Sequence, residues 1–185
     1  DAPGVMPGGR YSYQSYNRPW ANASNTPFRM FKHWVHEGGI ATPLVAYWPG
    51  TIAPGSQTDA LGHVIDILPT CLDAAGTEYP EHRGDKPIKG LDGESLLPAL
   101  RGEDWSRRKD LFWEHGGNRA VRHGRWKLVS RFEQGDWELY DMIEDRTELS
   151  DLSGVKDDVV RDLSAAYDRW AAYAEVEPWE QVTGG

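Results

Sequence analysis

Residues 111–174 constrain the fold more than any other part of the chain. Leu111-Phe112-Trp113 opens a region of period-two patterning. Residues 119–122 and 125–129 flank His123-Gly124, a two-residue turn of the kind that closes tight hairpins. Trp126, Leu128 and Ser130 alternate with Lys127, Val129 and Arg131. Residues 133–136 make a second turn, and residues 137–141 repeat the alternation. This pattern predicts a meander of antiparallel strands with one wet face. Val160, Leu163, Tyr167, Trp170 and Ala174 then recur at helical steps, which predicts a helix over 157–174. Asp157 and Asp158 sit in its first turn, where the helix dipole favours negative charge, and Pro178 ends it. A meander followed by an amphipathic helix implies a small sheet covered by that helix on its apolar face.

Upstream the pattern is different. Residues 1–27 combine Gly, Pro and Asn with no helical or strand period and read as a long loop. Tyr11, Tyr13, Tyr16 and Trp20 argue against disorder there. Phe28, Phe31, Trp34 and Val35 follow helical spacing for about two turns, and Glu37-Gly38-Gly39 breaks it as a flexible turn. Leu44-Val45-Ala46-Tyr47-Trp48 is a continuous apolar run closed by Pro49-Gly50, the pattern of a strand buried on both faces. Residues 64–75 read as a helix with Asp66 as N-cap, Pro69 in the first turn and Gly76 as C-cap. Ile65, Leu68, Leu72 and Ala75 share one face of it. Residues 77–110 are loop-rich, with a helical turn or two near 95–100. The expected fold class is therefore α/β, incomplete because one buried strand makes no sheet, followed by a small α+β C-terminal domain. The expected boundaries are 1–105 and 106–185.

Composition removes several functions. Twenty Lys and Arg against 29 Asp and Glu give a net charge of −9, which argues against general affinity for nucleic acid. No run of apolar residues is long enough for a membrane-spanning helix, and no signal peptide is visible. The single cysteine, Cys71, forms no internal disulfide and reads as a packed small hydrophobe in an apolar helix. Nine Trp leave two readings open: large core residues, or a noncatalytic module that binds glycans through exposed rings.

Two segments could carry chemistry. Lys32 precedes Glu37-Gly38-Gly39 and the apolar run, and an ammonium group there suits an anionic oxygen; the alternative is a solvated surface lysine. His115 lies in Glu114-His115-Gly116-Gly117-Asn118-Arg119, which reads either as a substrate-facing loop or as ordinary turn chemistry. His33 and His36 have a spacing that could ligate zinc on a helix, or simply mark an exposed polar face. No other metal-ligand pattern stands out.

Four motifs in order resemble the C-terminal part of type I sulfatases, arylsulfatase-like members of the alkaline phosphatase superfamily. They are Thr26-Pro27-Phe28-Arg29 leading through Lys32 to Glu37-Gly38-Gly39 and Trp48-Pro49-Gly50; HVIDILPTCLDAAG over 63–76; WEHGGNRAVR over 113–122; and WELYDMIEDRTELSDL over 137–152. The resemblance implies hydrolysis of sulfate esters of small molecules or glycans. It implies a formylglycine nucleophile and a divalent cation, usually calcium, both outside this chain. Lys32 matches the family's lysine that contacts the substrate sulfate, and the resemblance places His115 in a loop that can approach the substrate mouth in similar bacterial enzymes. Cys71 is followed by Leu72-Asp73-Ala74-Ala75, which does not match the C/S-x-P-S-R nucleophile motif. The resemblance thus implies a fragment that lacks an N-terminal sulfatase domain, inactive alone, from a periplasmic or secreted enzyme. A phosphodiesterase or phosphonate ester hydrolase of the same superfamily is the alternative.

Overall fold

The computed structural model describes residues 4, 9–10, 17–132 and 134–184. Tyr11, Tyr13 and Tyr16, and Glu133 of the second turn, lie outside the described residues. The chain divides into two compact units, Asp1–Thr42 with Phe112–Gly185, and Pro43–Leu111. This division cuts across the expected order of 1–105 and 106–185, because the segment ending at Thr42 shares a core with the C-terminal sheet.

The first unit begins with helix α1 (Arg18–Ser24), where a loop was expected. Pro19 stands in its first turn, where a missing N–H costs nothing. Residues 28–36 are not helical despite their spacing; they form an irregular loop that ends at the single turn α2 (Glu37–Ile40).

The second unit holds α3 (Ile67–Ala75), preceded by a 3-10 turn at Val64–Asp66, and a two-stranded ribbon, β1 (His82–Arg83) with β2 (Lys86–Pro87). A single turn, α4 (Leu97–Leu100), follows. Gly76 takes the left-handed conformation at the end of α3, as expected. Residues 44–48 form no strand among the described residues, contrary to the apolar pattern; Val45 is 89% exposed and Tyr47 90%. The run has no neighbouring strand to pair its backbone groups, and a lone strand is not stable. The apolar face expected on α3 is likewise uncovered, and Cys71 is exposed rather than packed.

This unit is held by a polar hub. Asp66 is fully buried, and its carboxylate accepts from the N–H groups of His63 (2.7 Å) and Glu94 (2.8 Å) and from the Arg107 guanidinium. Asp66 therefore ties loops together and makes no side-chain cap bond to α3. Burial lowers the His63 pKa, the Asp66 charge opposes that shift, and Arg107 adds to it. Glu94 accepts from the backbone of Arg108 (3.0 Å) and Lys109 (3.1 Å). Burial alone would raise its pKa, but these bonds and Arg107 bring it below the usual carboxyl value.

The chain then enters the sheet, β3 (Leu111–His115), β4 (Asn118–His123), β5 (Trp126–Ser130) and β6 (Trp137–Asp141), in that spatial order. β4 pairs with β5 and β5 with β6, both antiparallel. The tight turn falls on Gly124-Arg125, one residue later than expected, and Gly124 supplies the positive φ its first position needs. Helix α5 (Asp157–Tyr173) matches the expected span almost to the residue, and α6 (Trp179–Thr183) follows it.

Val121, Leu128 and Leu139 align across β4, β5 and β6 and pack against Leu163 and Tyr167 of α5. Truncating a leucine buried this completely to alanine costs about 2–5 kcal/mol. Phe112 stacks on Trp170 at 5.1 Å, and Trp137 meets Tyr167 edge-on. Most of the tryptophans are at least partly buried; Trp20 and Trp48 are exposed.

The opposite face of the sheet is not wet. Ala120, Val129 and Tyr140 pack there with Met142, Val35 and Ile40. Lys127, on the face expected to meet water, is fully buried. The loop and turn of residues 28–42 cover this face, which the period of the strands could not reveal.

Candidate functional site

Lys32 projects from a loop that is fastened at both ends. Asn25, at the end of α1, donates from Nδ2 to the Met30 carbonyl (3.1 Å). Met30 and His33 both have positive φ, a region side chains seldom adopt, so the chain doubles back within four residues. Lys32, between them, is exposed, and its ammonium makes no ion pair among the described residues.

The Gly38-Gly39 pair explains how α2 closes against this loop. A Cβ on Gly38 would lie 2.0 Å from the Arg29 carbonyl oxygen, and one on Gly39 would lie 1.9 Å from that of Trp34. The glycines are needed for close packing, and the expected flexible turn is instead a buried anchor.

A charged network holds the loop to the sheet. Glu138 of β6 accepts from Tyr140 Oη (2.6 Å), lies 2.9 Å from His36 Nε2 and pairs with Arg131 (3.1 Å). Burial would raise the Glu138 pKa, but the hydrogen bonds of His36 and Tyr140 and the charges of His36 and Arg131 hold it at about 2. Burial and the Glu138 carboxylate both push the Tyr140 pKa upward. Arg29 donates to the Glu148 carbonyl, and Glu148 Oε2 accepts from the Glu37 N–H (2.8 Å). Lys127 Nζ donates to Glu37 Oε1 (2.9 Å) and approaches Glu148 Oε1 at 2.7 Å.

The second sequence candidate lies beside the first. Gly116 and Gly117 form the tip between β3 and β4 with positive φ at both, as a tight hairpin requires. Glu114 Oε1 accepts from the Gly117 N–H (2.8 Å). The exposed His115 ring meets the His33 ring edge-on, with centroids 5.8 Å apart. Asn118 is 2% exposed and joins the two loops: its Nδ2 donates to the carbonyls of His115 (2.9 Å) and His33 (3.3 Å). Its Oδ1 accepts from the Phe132 N–H (3.3 Å).

The structure thus brings the Lys32 loop and the His115 tip together and separates His33 from His36. His33 faces the tip, whereas His36 is buried against Glu138, so the pair makes no zinc site. Among the described residues no three His, Cys, Asp or Glu side chains converge as a metal site requires. The buried carboxylates are already held by Lys127, arginines and backbone N–H groups, so these residues do not fit the implied divalent cation. Sequence reasoning missed Asn118, Glu138 and Glu148. Asn118 was visible as part of a Gly-Gly-Asn turn, but Glu148 reaches a partner 111 positions away and leaves no local signal.

The family model for the C-terminal region of N-sulphoglucosamine sulphohydrolase matches residues 28–169. The chain belongs to this family. Lys32, the network and the His115 tip all fall inside the matched region. An uncharacterized sulfatase of Schizosaccharomyces pombe is 33% identical over 176 residues, covering 88% of this chain and 30% of that protein. N-acetylgalactosamine-6-sulfatase of Canis lupus familiaris is 33% identical over 137 residues, covering 74% of this chain and 25% of the relative. The chain therefore spans less than a third of these relatives' length. The solved structure of Ps i-CgsB superposes with a TM-score of 0.66 at 24% identity, covering 80% of this chain and 32% of that one. That likeness shows the fold alone: the small antiparallel sheet and its helices recur in that solved structure.

Proposed function

We propose that this chain is part of a sulfatase that cleaves sulfate esters, R–O–SO3⁻ plus water giving R–OH and hydrogen sulfate. The observation that carries the reading is the position of Lys32: an exposed ammonium, inside the family match, on a loop fastened by hydrogen bonds at both ends. The formylglycine nucleophile and the divalent cation that the resemblance implies belong to residues other than those described. The cation would polarise the sulfate when bound.

In this reading Lys32 contacts a nonbridging sulfate oxygen. Its fixed positive charge holds the anion and opposes the charge that shifts toward oxygen as the S–O bond breaks, stabilisation that needs no reorganisation at the moment of reaction. His115 lies on the alcohol side of the ester, at the mouth. The substrate is a sulfated small molecule or glycan, a class supported by the names of relatives such as N-acetylgalactosamine-6-sulfatase. Among the described residues no helix is long and apolar enough to cross a membrane.

The test is turnover by the full-length protein of 4-nitrophenyl sulfate against 4-nitrophenyl phenylphosphonate and bis(4-nitrophenyl) phosphate. Preference for the sulfate ester supports the reading. Preference for either phosphorus ester replaces it with the phosphonate or phosphodiester alternative.

A further inference from the structure

Asn118 is almost fully buried, and its amide is fully used. Nδ2 reaches the His33 carbonyl, one residue after Lys32, and the His115 carbonyl at the hairpin tip. Oδ1 is held by the Phe132 N–H, so the amide cannot turn over without losing all three bonds. Both accepting carbonyls belong to residues whose side chains are exposed. The bonds therefore fix the backbone that presents Lys32 and His115 and leave those side chains facing solvent.

The alternatives at this position explain why an amide is suited to it. Aspartate would keep the acceptor for Phe132 but set a carboxylate against two carbonyl oxygens. Serine would be too short to span both. Alanine would remove the donor that both carbonyls share. His33, with its positive φ, depends on such a partner, because nothing in its own backbone geometry favours that conformation.

We infer that Asn118 is a positioning residue that sets Lys32 relative to the His115 tip, so that the sulfate and alcohol ends of one substrate are engaged in a fixed geometry. This inference rests on the proposed role of Lys32. Asn118 touches no substrate; it acts through the two loops. Displacing a charged contact by about 1 Å can cost on the order of a hundredfold in rate.

The experiment is a double-mutant cycle in the full-length protein with 4-nitrophenyl sulfate, using Lys32→Ala, Asn118→Ala and the double variant. Thermal unfolding of each variant is followed in parallel. Asn118→Asp serves as a second probe, because it retains the bond to Phe132. Asn118→Ala and Asn118→Asp should each lower kcat/KM by ten- to a hundredfold, about the range expected for a displaced contact. In the Lys32→Ala background the Asn118 substitution should change kcat/KM less than about twofold, since there is no ammonium left to misplace. Losses that multiply, or wild-type rates in both Asn118 variants, would overturn the inference and assign Asn118 to stability alone. An unchanged rate in Lys32→Ala would instead remove the underlying reading of Lys32, an outcome the single variant reports by itself.

Discussion

Lys127 Nζ and Glu148 Oε1 stand 2.7 Å apart with side chains 1% and 0% exposed, inside a sheet whose pattern marks that face as solvated. Glu37 completes the cluster at 2.9 Å. Removing one partner of such a cluster leaves an uncompensated buried charge, which costs about 3–5 kcal/mol.

Lys127→Met should therefore lower the urea midpoint of unfolding strongly, with two carboxylates left facing each other across the vacated site. Adding Glu37→Gln and Glu148→Gln should recover most of the loss, because Gln at 148 still accepts from the Glu37 N–H. A Lys127→Met variant as stable as the parent would show that the cluster does not hold the loop to the sheet.

Glu138 gives the fold an acid-sensitive contact. Its folded pKa of about 2 lies below the ordinary value of 4.5. The unfolded chain thus binds the extra proton first, so the Glu138 contribution is complete above pH 4.5 and is lost as pH falls toward 2. His36, Tyr140, Arg131 and Arg29 are the groups facing it. Urea unfolding of parent and Glu138→Gln across this window should show the parent's stability advantage shrinking with acid. A difference independent of pH would contradict the assigned shift.

Tyr167 behaves in the opposite sense. Its hydroxyl is buried in the α5 interface with no hydrogen-bond partner among the described residues. Burial pushes its pKa to about 12, Arg119 opposes this, and Glu114 and Asp168 add to it. The folded state keeps the proton longer, so stability falls as pH rises from 10 toward 12. Tyr167→Phe removes an unsatisfied group and should leave neutral-pH stability unchanged or raise it by about 1 kcal/mol. It should also reduce the alkaline loss seen in thermal unfolding. A large destabilisation at neutral pH would mean the hydroxyl does have a partner.

The C-terminal sheet and α5 were legible because each residue's environment there follows from its neighbours a few positions away. Trp137 to Asp141 and the 157–174 stripe carry their own period, and the structure reproduces both. The face with the solvated pattern is buried instead, because its cover comes from residues 28–42, about a hundred positions upstream. Residues 44–48 failed for the converse reason: the pattern is that of a strand, but a strand needs partners that the described residues do not supply. The sequence marks Lys32 and His115 as candidates, through their neighbours and the family resemblance. That their loops touch through His33 and Asn118 was not legible, because no periodicity encodes a contact between a positive-φ loop and a hairpin tip.

The most direct measurement is kcat/KM of the full-length protein for 4-nitrophenyl sulfate, with and without Lys32→Ala, alongside the thermal midpoint of each. Lys32 is exposed and outside the buried network, so the substitution should leave the midpoint unchanged. The proposed charge contact predicts a fall in kcat/KM of at least about a hundredfold. A value within twofold of the parent, from a protein of equal stability, would contradict the assignment of Lys32 to the substrate sulfate.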